Sequence, residues 1–346
     1  MNQILAADIK AFADTFTLRD SFRGRQIIVT GATGLLGACT VRCLLALNER
    51  HRLGLRVIAA VRNREKAQAL FGPESDTLTF LLHDFAADEP FGEGMAADYL
   101  LHFASPTASR YFVEHPAETL LTGIRGARQV LDYARRARLG GMVYVSSLEV
   151  YGTVLDDSRP LTEEQQGYLN PMDARSSYPM GKRAAECLCH AYAREHGVSV
   201  CVARLAQTFG AGVSPTDNRV FAQFARNIIH KEDIVLHSRG ELSRCYCYTT
   251  DAVSALLHLL VHGRAGEAYN VADEESYISV IDMARMLCRE FAPGSQPVVK
   301  LQDGMGYSPV TKLRLSAGKL RQTGWKPRYD LRTMFERLIE SMREDA

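Results

Sequence analysis

The sequence predicts an α/β protein with a doubly wound parallel sheet and a smaller C-terminal α/β lobe. From Gln26 onward, short runs rich in β-branched residues alternate with longer helical segments, which is typical of a parallel sheet covered by helices. The runs are almost continuously apolar, as expected of strands that are buried on both faces. A glycine-rich turn follows the first run, where the first strand of such a sheet meets its first helix.

The local patterns place the elements along the chain. The predicted strands are 26–30, 55–61, 78–82, 98–103, 142–146 and 198–204, and the clearest helices are 35–48, 116–138 and 179–196. The apolar positions Ile4, Ile9, Phe12 and Phe16 predict an amphipathic helix in an N-terminal extension, residues 1–25. The main domain is expected at 26–206 and the second lobe mainly at 207–346, built from 207–245 and 272–325. Strand-like segments near 246–249 and 267–271 are expected to return to the main body.

Composition excludes several classes of protein. The 346 residues contain 41 Lys and Arg against 40 Asp and Glu, so the net charge of +1 predicts neither nucleic-acid binding nor attachment to an acidic membrane. No apolar run approaches the roughly 18 to 20 residues that span a bilayer. The eight cysteines show no C-x-x-C or zinc-like spacing, so we expect no metal site. Asp8, Lys10 and Asp14 interrupt the first apolar positions, unlike a signal peptide, and the expected location is the cytoplasm.

The glycine-rich turn predicts a dinucleotide site. Gly31, Gly34 and Gly37 follow the first strand and open the first helix. Glycine lets the backbone approach a pyrophosphate, and the helix N-terminus supplies N–H groups with partial positive charge. The residues expected at the cofactor in this segment are Gly31, Thr33, Gly34, Leu35, Leu36 and Gly37.

The spacing G-x-x-G-x-x-G resembles that of the short-chain dehydrogenase/reductase superfamily, in its extended branch. Asp84 resembles the residue of that family that contacts adenine, and Phe103, Ala104 and Ser105 resemble the segment beneath the nicotinamide ribose. Tyr178 and Lys182 match its Y-x-x-x-K pair. The resemblance implies a Rossmann-type sheet and bound NAD or NADP.

Arg62 bears on the choice of cofactor. An acidic residue at the end of the second strand would accept hydrogen bonds from the adenosine ribose of NAD, but this chain has Val61 followed by Arg62. Arg62 could pair with the 2′-phosphate of NADP, stack on adenine beside NAD, or remain solvated at a helix start. The charge at this position favours NADP slightly.

The Y-x-x-x-K pair predicts the reactive centre. Tyr178 and Lys182 lie four residues apart and share one helix face, so the ammonium is expected to lower the pKa of the phenol. A phenolate can remove a hydroxyl proton while hydride leaves the same carbon for nicotinamide. Tyr178 and Lys182 are therefore expected to contact both cofactor and substrate. By the resemblance, Ser147 steadies the reacting oxygen.

The end of the fifth strand resembles the S-x-x-V-Y-G segment of nucleotide-sugar epimerases, dehydratases and decarboxylases. The resemblance implies a catalytic role for Glu149, which 4,6-dehydratases and UDP-glucuronic acid decarboxylases share. The alternative is a carboxylate that binds backbone N–H groups at a helix start. Where the dehydratases have an acid and the decarboxylases a hydroxyl, this chain has Leu148, which cannot transfer a proton.

The downstream sequence is most similar to the decarboxylase branch. Arg219 and Arg244 are expected to bind the diphosphate or sugar, although each could instead form a surface ion pair. Gln207 and Gly123 replace asparagines of the decarboxylases, and Leu148 and Gln207 are both expected at the sugar site. Substrate-binding residues are thus Gln207, Arg219 and Arg244.

These features predict an NAD(P)-dependent enzyme that oxidises C4 of a nucleoside-diphosphate sugar. The resemblance favours UDP-glucuronate decarboxylation, with a 4-epimerase or a 4,6-dehydratase as alternatives. An NADPH-dependent carbonyl reductase and a non-catalytic cofactor sensor are further alternatives. The resemblance also implies a homodimer that pairs the helices at 116–138 and 179–196.

Overall fold

The computed structural model describes residues 1–106, 109–302 and 310–345, so residues 303–309 of the expected second lobe lie outside it. The strands are β1 (Gln26–Thr30), β2 (Arg56–Val61), β3 (Leu78–Leu82), β4 (Tyr99–His102), β5 (Gly141–Ser147), β6 (Val200–Leu205), β7 (Gln207–Phe209), β8 (Ile234–Leu236), β9 (Ser243–Tyr248), β10 (Ala268–Val271), β11 (Asp273–Ser279), β12 (Pro297–Val299) and β13 (Lys312–Leu313). The α-helices are α1 (Gln3–Thr15), α2 (Leu35–His51), α3 (Arg64–Phe71), α4 (Ser109–Glu114), α5 (Pro116–Ala137), α6 (Ser177–His196), α7 (Val220–His230), α8 (Thr249–His262), α9 (Val280–Phe291), α10 (Gly318–Arg321) and α11 (Leu331–Glu344). Short 3₁₀ segments lie at Arg19–Phe22, Leu148–Tyr151 and Ala174–Ser176.

The main sheet confirms the predicted fold class. Within the described residues its seven strands are all parallel, in the order β3-β2-β1-β4-β5-β6-β10. Helices α2 and α8 pack on one face, and α5 and α6 pack together on the other. The strand order reverses between β1 and β4, and ligands of doubly wound sheets bind outside the carboxyl ends of the strands at such a point.

A second sheet corrects one prediction. The predicted strand near 246–249 forms part of β9, which pairs with β7, β11 and β13 instead of joining the main sheet. The chain does return to the main body immediately afterwards, through α8 and then β10. The apolar pattern of a short strand is the same in either sheet, because both of its faces are buried in each case.

The second sheet covers a separate hydrophobic core. At its centre, between β7, α7 and α11, Phe209 stacks on Phe221 and contacts Phe335 at a tilt. Strands β8 and β12 form a further parallel pair beside α9. The lobe beyond Gln207 therefore has its own hydrophobic core. It forms a separate surface that faces the edge of the main sheet.

Helix α1 confirms the amphipathic pattern of the N-terminal extension. It buries Leu5, Ile9 and Phe12 and contacts both α2 and α11. Asp8 on the same face is buried, and its carboxylate accepts hydrogen bonds from Tyr248 and Arg337. Burial raises the pKa of Asp8, although both partners oppose that rise. Helix α1 thus joins the main body to the C-terminal helix.

Across the described ranges, every helix is too short or too polar to cross a membrane.

Candidate active site

The site lies where β1, β4 and β5 end and where α2 and α6 begin. Thr30, His102 and Ser147 are the last residues of those three strands. Because parallel strands end at the same edge of a sheet, residues distant in sequence converge there.

The glycine turn has the shape that a pyrophosphate requires. Gly31 has φ of +61°, and a Cβ added there would lie 2.9 Å from the backbone nitrogen of Ala104. A Cβ added at Gly37 would lie 2.2 Å from the carbonyl oxygen of Gly31. Gly34 precedes α2 and provides no side-chain cap for the first N–H groups of the helix. The turn therefore fits a dinucleotide, because the first N–H groups of α2 have no side-chain cap and the close packing at Gly31 and Gly37 fixes the backbone that presents them.

The other residues predicted in this turn have additional packing roles. Thr33 is half-buried beside the glycines. Leu35 packs against the core of the second lobe, whereas Leu36 packs against the main core. The first turn of α2 thus lies between the two lobes.

His102 supports the segment that follows β4. Its Nδ1 lies 2.9 Å from the hydroxyl of Thr30, which also accepts hydrogen bonds from the backbone N–H groups of Phe103 and Ala104. Burial, helped by the charge of Lys182, lowers the pKa of His102 to about 3. The imidazole is therefore neutral. The segment after it, Phe103, Ala104 and Ser105, is half-buried beside the glycine turn.

Arg62 and Asp84 lie further out, at the ends of β2 and β3. Both are exposed. A hydrogen bond with Glu118 raises the pKa of the Tyr111 phenol in α4, and the charge of Arg62 opposes this rise. The carboxylate of Asp84 accepts the backbone N–H of Ala86 at 3.1 Å and so fixes its own turn.

The structure brings Ser147, Tyr178 and Lys182 together, with Ser147 hydrogen-bonded to the Tyr178 phenol. Lys182 is buried, donates to the carbonyl oxygen of Val145 at 2.8 Å, and lies 4.8 Å from the centre of the Tyr144 ring and 5.8 Å from that of Tyr178. Burial lowers the pKa of Lys182 to about 8.

The pKa of Tyr178 differs from the prediction. Burial and, next, the charge of Glu149 raise it, whereas the hydrogen bond with Ser147 and the charge of Arg175 lower it. The ammonium of Lys182 was expected to dominate, but it is directed to the Val145 carbonyl. The groups that favour the phenolate in this arrangement are therefore Ser147 and Arg175.

Glu149 is bound by a residue to which sequence reasoning gave no role. One terminal nitrogen of Arg175 lies 2.8 Å and 3.0 Å from the two carboxylate oxygens of Glu149. The alternative interpretation of Glu149, a carboxylate bound to backbone N–H groups, is not what the structure shows. Arg175 lies three residues before Tyr178, and the segment Arg175-Ser176-Ser177-Tyr178 is similar to the decarboxylase branch, but neither signal assigned a role to the arginine.

Phe112 is the second residue that the sequence did not indicate. Its ring stacks on Tyr178 with centroids 4.3 Å apart and an angle of 5° between the planes. The guanidinium of Arg175 lies 5.1 Å from the centre of the same ring. No local pattern indicates this contact, because Phe112 is on α4 and Tyr178 on α6.

The predicted substrate residues lie on the second lobe in two different states. Arg219 is paired with Asp217 at 2.6 Å and lies over the Phe221 ring, so the ion-pair alternative applies to it. Burial would raise the pKa of Asp217, but Arg219 outweighs this and holds the pKa below its usual value. Arg244 makes a weak contact with Gln207 at 3.4 Å, and its buried Nε has no hydrogen-bond partner among the described residues.

Leu148 does not lie where it was expected. Its side chain is 3% exposed and belongs to the main hydrophobic core, so it does not form a wall of the sugar site. The 3₁₀ segment that begins at Leu148 turns this side chain inward while Glu149 remains accessible to Arg175.

A buried ion pair fixes α6 to the sheet beneath these residues. Arg204 at the end of β6 binds Glu186 at 2.7 Å, and Glu186 also accepts a hydrogen bond from Ser146. The helix that presents Tyr178 and Lys182 is therefore held by charge-assisted bonds as well as by packing.

Comparison with known proteins shows which enzymes the chain resembles in sequence. Over 323 residues the chain is 27% identical to UDP-glucuronic acid decarboxylase 1 of Xenopus tropicalis, covering 93% of this chain and 73% of that protein. It is 26% identical to UDP-glucuronic acid decarboxylase 6 of Arabidopsis thaliana, with 92% and 89% covered.

Solved structures share the fold. An epimerase from Methanothermobacter thermautotrophicus matches with a TM-score of 0.79 at 24% identity, covering 96% of this chain and 97% of that one. The UDP-glucose 4-epimerase of Thermotoga maritima matches with a TM-score of 0.77 at 22% identity, covering 92% and 99%. The model of the NAD dependent epimerase/dehydratase family matches residues 27–272, which include the glycine turn, Ser147, Tyr178 and Lys182. The chain therefore belongs to the NAD dependent epimerase/dehydratase family.

Proposed function

We propose that the protein oxidises C4 of a nucleoside-diphosphate sugar to a 4-keto intermediate, and that its reaction is most like that of UDP-glucuronate decarboxylases. The observation that carries this proposal is the convergence of Ser147, Tyr178 and Lys182, with Glu149, beside a turn shaped for a dinucleotide. The similarity to UDP-glucuronic acid decarboxylases over more than nine-tenths of the chain supports the choice of substrate class.

Each side chain has a defined task in this reaction. A nicotinamide cofactor held at the glycine turn would supply reversible hydride transfer at C4. Tyr178 removes the proton of the C4 hydroxyl, and Ser147 holds the same oxygen by a hydrogen bond. Lys182 holds a positive charge 5.8 Å from the centre of the phenol ring through its bond to the Val145 carbonyl, whereas Ser147 and Arg175 are the groups that favour the phenolate. Glu149 is a carboxylate whose charge acts on Tyr178, and it is suited to move a proton at the carbon next to the ketone.

The 4-ketone explains how one site could give three products. The carbonyl withdraws electrons from C5, so a carboxylate at C6 can leave as carbon dioxide. The same ketone permits inversion at C4 or loss of water from C5 and C6. The fold that this chain shares with epimerases and dehydratases keeps those alternatives open.

Product mass distinguishes these outcomes. The purified protein is incubated with UDP-glucuronic acid, UDP-glucose or dTDP-glucose, and the nucleotide sugars are separated and weighed. Loss of carbon dioxide from UDP-glucuronic acid supports decarboxylation, loss of water supports a dehydratase, and an isomer of unchanged mass supports an epimerase. Absence of turnover with all three sugars would contradict the proposal and leave a carbonyl reductase or a cofactor sensor.

We propose, by a slight margin, that the working cofactor is NADP and not NAD. The reason is the positive charge of Arg62, which is exposed at the end of β2. Arg62→Asp should weaken NADP by about 2 kcal/mol and NAD much less, since it removes a charge-assisted contact and adds repulsion toward a phosphate. Calorimetric titration of parent and variant with each cofactor measures this. Equal losses would show that Arg62 stacks on adenine and that NAD is the working cofactor.

We also propose a homodimer through α5 and α6. These helices pack side by side on one face of the sheet, and Leu121 of α5 is 46% exposed. Sedimentation at micromolar concentration tests the proposal, and a monomer would contradict it.

A cytoplasmic location is supported by eight cysteines that are all free thiols, seven of them buried.

A further inference from the structure

Three side chains form a column at the reactive centre. The guanidinium of Arg175 lies over one face of the Phe112 ring, and the phenol ring of Tyr178 stacks almost parallel to Phe112. They come from three elements: the 3₁₀ segment before α6, helix α4 and helix α6. Phe112 is 2% exposed, so the ring has little freedom to move. The backbone also links these elements, because the hydroxyl of Ser177 donates to the carbonyl oxygen of Phe112.

The same guanidinium holds Glu149. Arg175 and Glu149 keep only 22% and 23% of their side-chain surface exposed, so the pair is partly desolvated. A guanidinium that binds a carboxylate and stacks on a ring at once is restrained in both position and plane. Arg175 therefore connects the carboxylate expected to move a proton with the phenol expected to remove one.

We propose that Arg175 is a positioning residue that orients Tyr178 through Phe112 and Glu149 through its ion pair. The inference rests on the proposed function, in which Tyr178 and Glu149 handle protons. In this proposal Arg175 does not contact the reacting atoms of the substrate, and it acts only through Tyr178 and Glu149.

The charged groups around Tyr178 predict the direction in which the pH profile of kcat should shift in each variant. Glu149 faces the phenol from the 3₁₀ segment that begins at Leu148, and Arg175 faces it from the one that precedes α6. Lys182 lies on α6 with Tyr178, and Tyr144 lies on β5. The charge of Glu149 raises the pKa of Tyr178 and that of Arg175 lowers it. Removal of Arg175 also leaves the Glu149 anion unpaired, so both effects disfavour the phenolate.

The first experiment compares Arg175→Gln and Arg175→Lys with the parent. Misplacement of an acid–base group costs on the order of 10- to 100-fold in rate, so kcat of Arg175→Gln should fall by that factor with KM nearly unchanged. The pH profile of kcat should shift to higher pH in Arg175→Gln and to lower pH in Glu149→Gln, with the double variant between them. Arg175→Lys should restore part of kcat, because it retains the charge without the planar stacking.

Arg332 provides a matched control. It lies over the Phe291 ring at 5.5 Å and binds Glu336 at 3.1 Å, but on α11, outside the site. Arg332→Gln should leave kcat and its pH profile unchanged. If Arg175→Gln behaves like Arg332→Gln, or changes KM alone, the inference is overturned.

A second measurement does not depend on turnover. The 14 tyrosines are labelled with carbon-13 at the phenol carbon, and the resonance of Tyr178 is assigned by its loss in Tyr178→Phe. Arg175→Gln and Phe112→Leu should each shift or broaden that resonance, and Arg332→Gln should not. If it stays unchanged in a folded Phe112→Leu or Arg175→Gln protein, the column does not position Tyr178. Absence of turnover in the parent would contradict only the proposed function.

Discussion

The two sides of the candidate site are built differently. On the main sheet, the glycine turn, Lys182 and Phe112 are tightly packed, and the Lys182 ammonium is bound by the carbonyl oxygen of Val145. On the second lobe, Arg244 has only a weak contact with Gln207 and a buried nitrogen without a described partner. The first side is preorganised for chemistry, whereas the second is completed by what it binds.

Arg219 is an exception to this difference between the two sides of the site. It lies on the second lobe, yet its guanidinium is bound to Asp217 through several hydrogen bonds. Of the two arginines, Arg244 therefore has the greater capacity left for a ligand.

The largest effect should come from Tyr178→Phe, which removes one hydroxyl from the preorganised side. Loss of a positioned acid–base group costs on the order of 100-fold or more in turnover, while the ring still stacks on Phe112. Cofactor and nucleotide affinity should remain nearly intact. Turnover rates together with binding titrations test this, and retention of more than roughly a tenth of parental activity would exclude Tyr178 as the base.

Gly37→Ala tests the close packing of the cofactor turn. The new Cβ would collide with the carbonyl oxygen of Gly31, and overpacking of this kind costs about 1–3 kcal/mol of stability. Cofactor affinity should fall as the turn is displaced. Gly123→Ala is the matched control, because nothing lies within 4 Å of its new Cβ, and in a helix it should stabilise by about 0.5–1 kcal/mol. Equal unfolding free energies for the two variants would show that the turn is not tightly packed.

Arg244→Gln and Arg219→Gln test the second side. Loss of a charge-assisted contact to a phosphate or carboxylate should raise KM of Arg244→Gln about tenfold, at little cost to stability. Arg219→Gln should raise KM less and destabilise the lobe, because it leaves Asp217 unpaired. Steady-state kinetics and urea unfolding on both variants measure these effects. The reverse order of KM values would assign the ligand to Arg219.

At neutral pH His102 gives the smallest expected effect, because its influence on stability develops only as the pH falls. Its pKa is about 3 in the folded protein and about 6.5 when exposed, so between these values the unfolded chain binds a proton that the folded one rejects. Stability should therefore fall as the pH falls below about 6.5, by up to about 1.4 kcal/mol per pH unit. Urea unfolding of the parent and of His102→Asn at several pH values checks this. The variant should show a shallower slope, and identical slopes would contradict the account.

Local patterns predicted the preorganised side well. The strands, the glycine turn and the spacing of Tyr178 and Lys182 are properties of short segments, where periodicity and backbone geometry decide the structure. The second sheet was predicted less well, since the sequence of β9 does not specify which sheet it joins. Phe112 and the Glu149–Arg175 pair escaped prediction because both depend on elements that meet only in the folded protein.

The pKa of Tyr178 illustrates the same limit. The four-residue spacing places Lys182 on the correct face of α6, but the carbonyl of Val145 on the adjacent strand determines where its ammonium points. The neighbours that decide the charge balance, Glu149 and Arg175, come from other elements. Spacing identified the pair of residues but could not establish which charge dominates.

Helix α1 has a consequence for the order in which the chain folds during synthesis. The hydrogen bond from Arg337 to Asp8 spans 329 positions of the chain. Contacts of such separation form late, and domains assemble as the chain emerges from the ribosome. The buried face of α1 therefore stays partly uncovered until α11 has emerged from the exit tunnel. Helix α1 therefore waits for its last partner until almost all of the described chain has been made, and the part of its apolar face that α11 covers is open to chaperones until then.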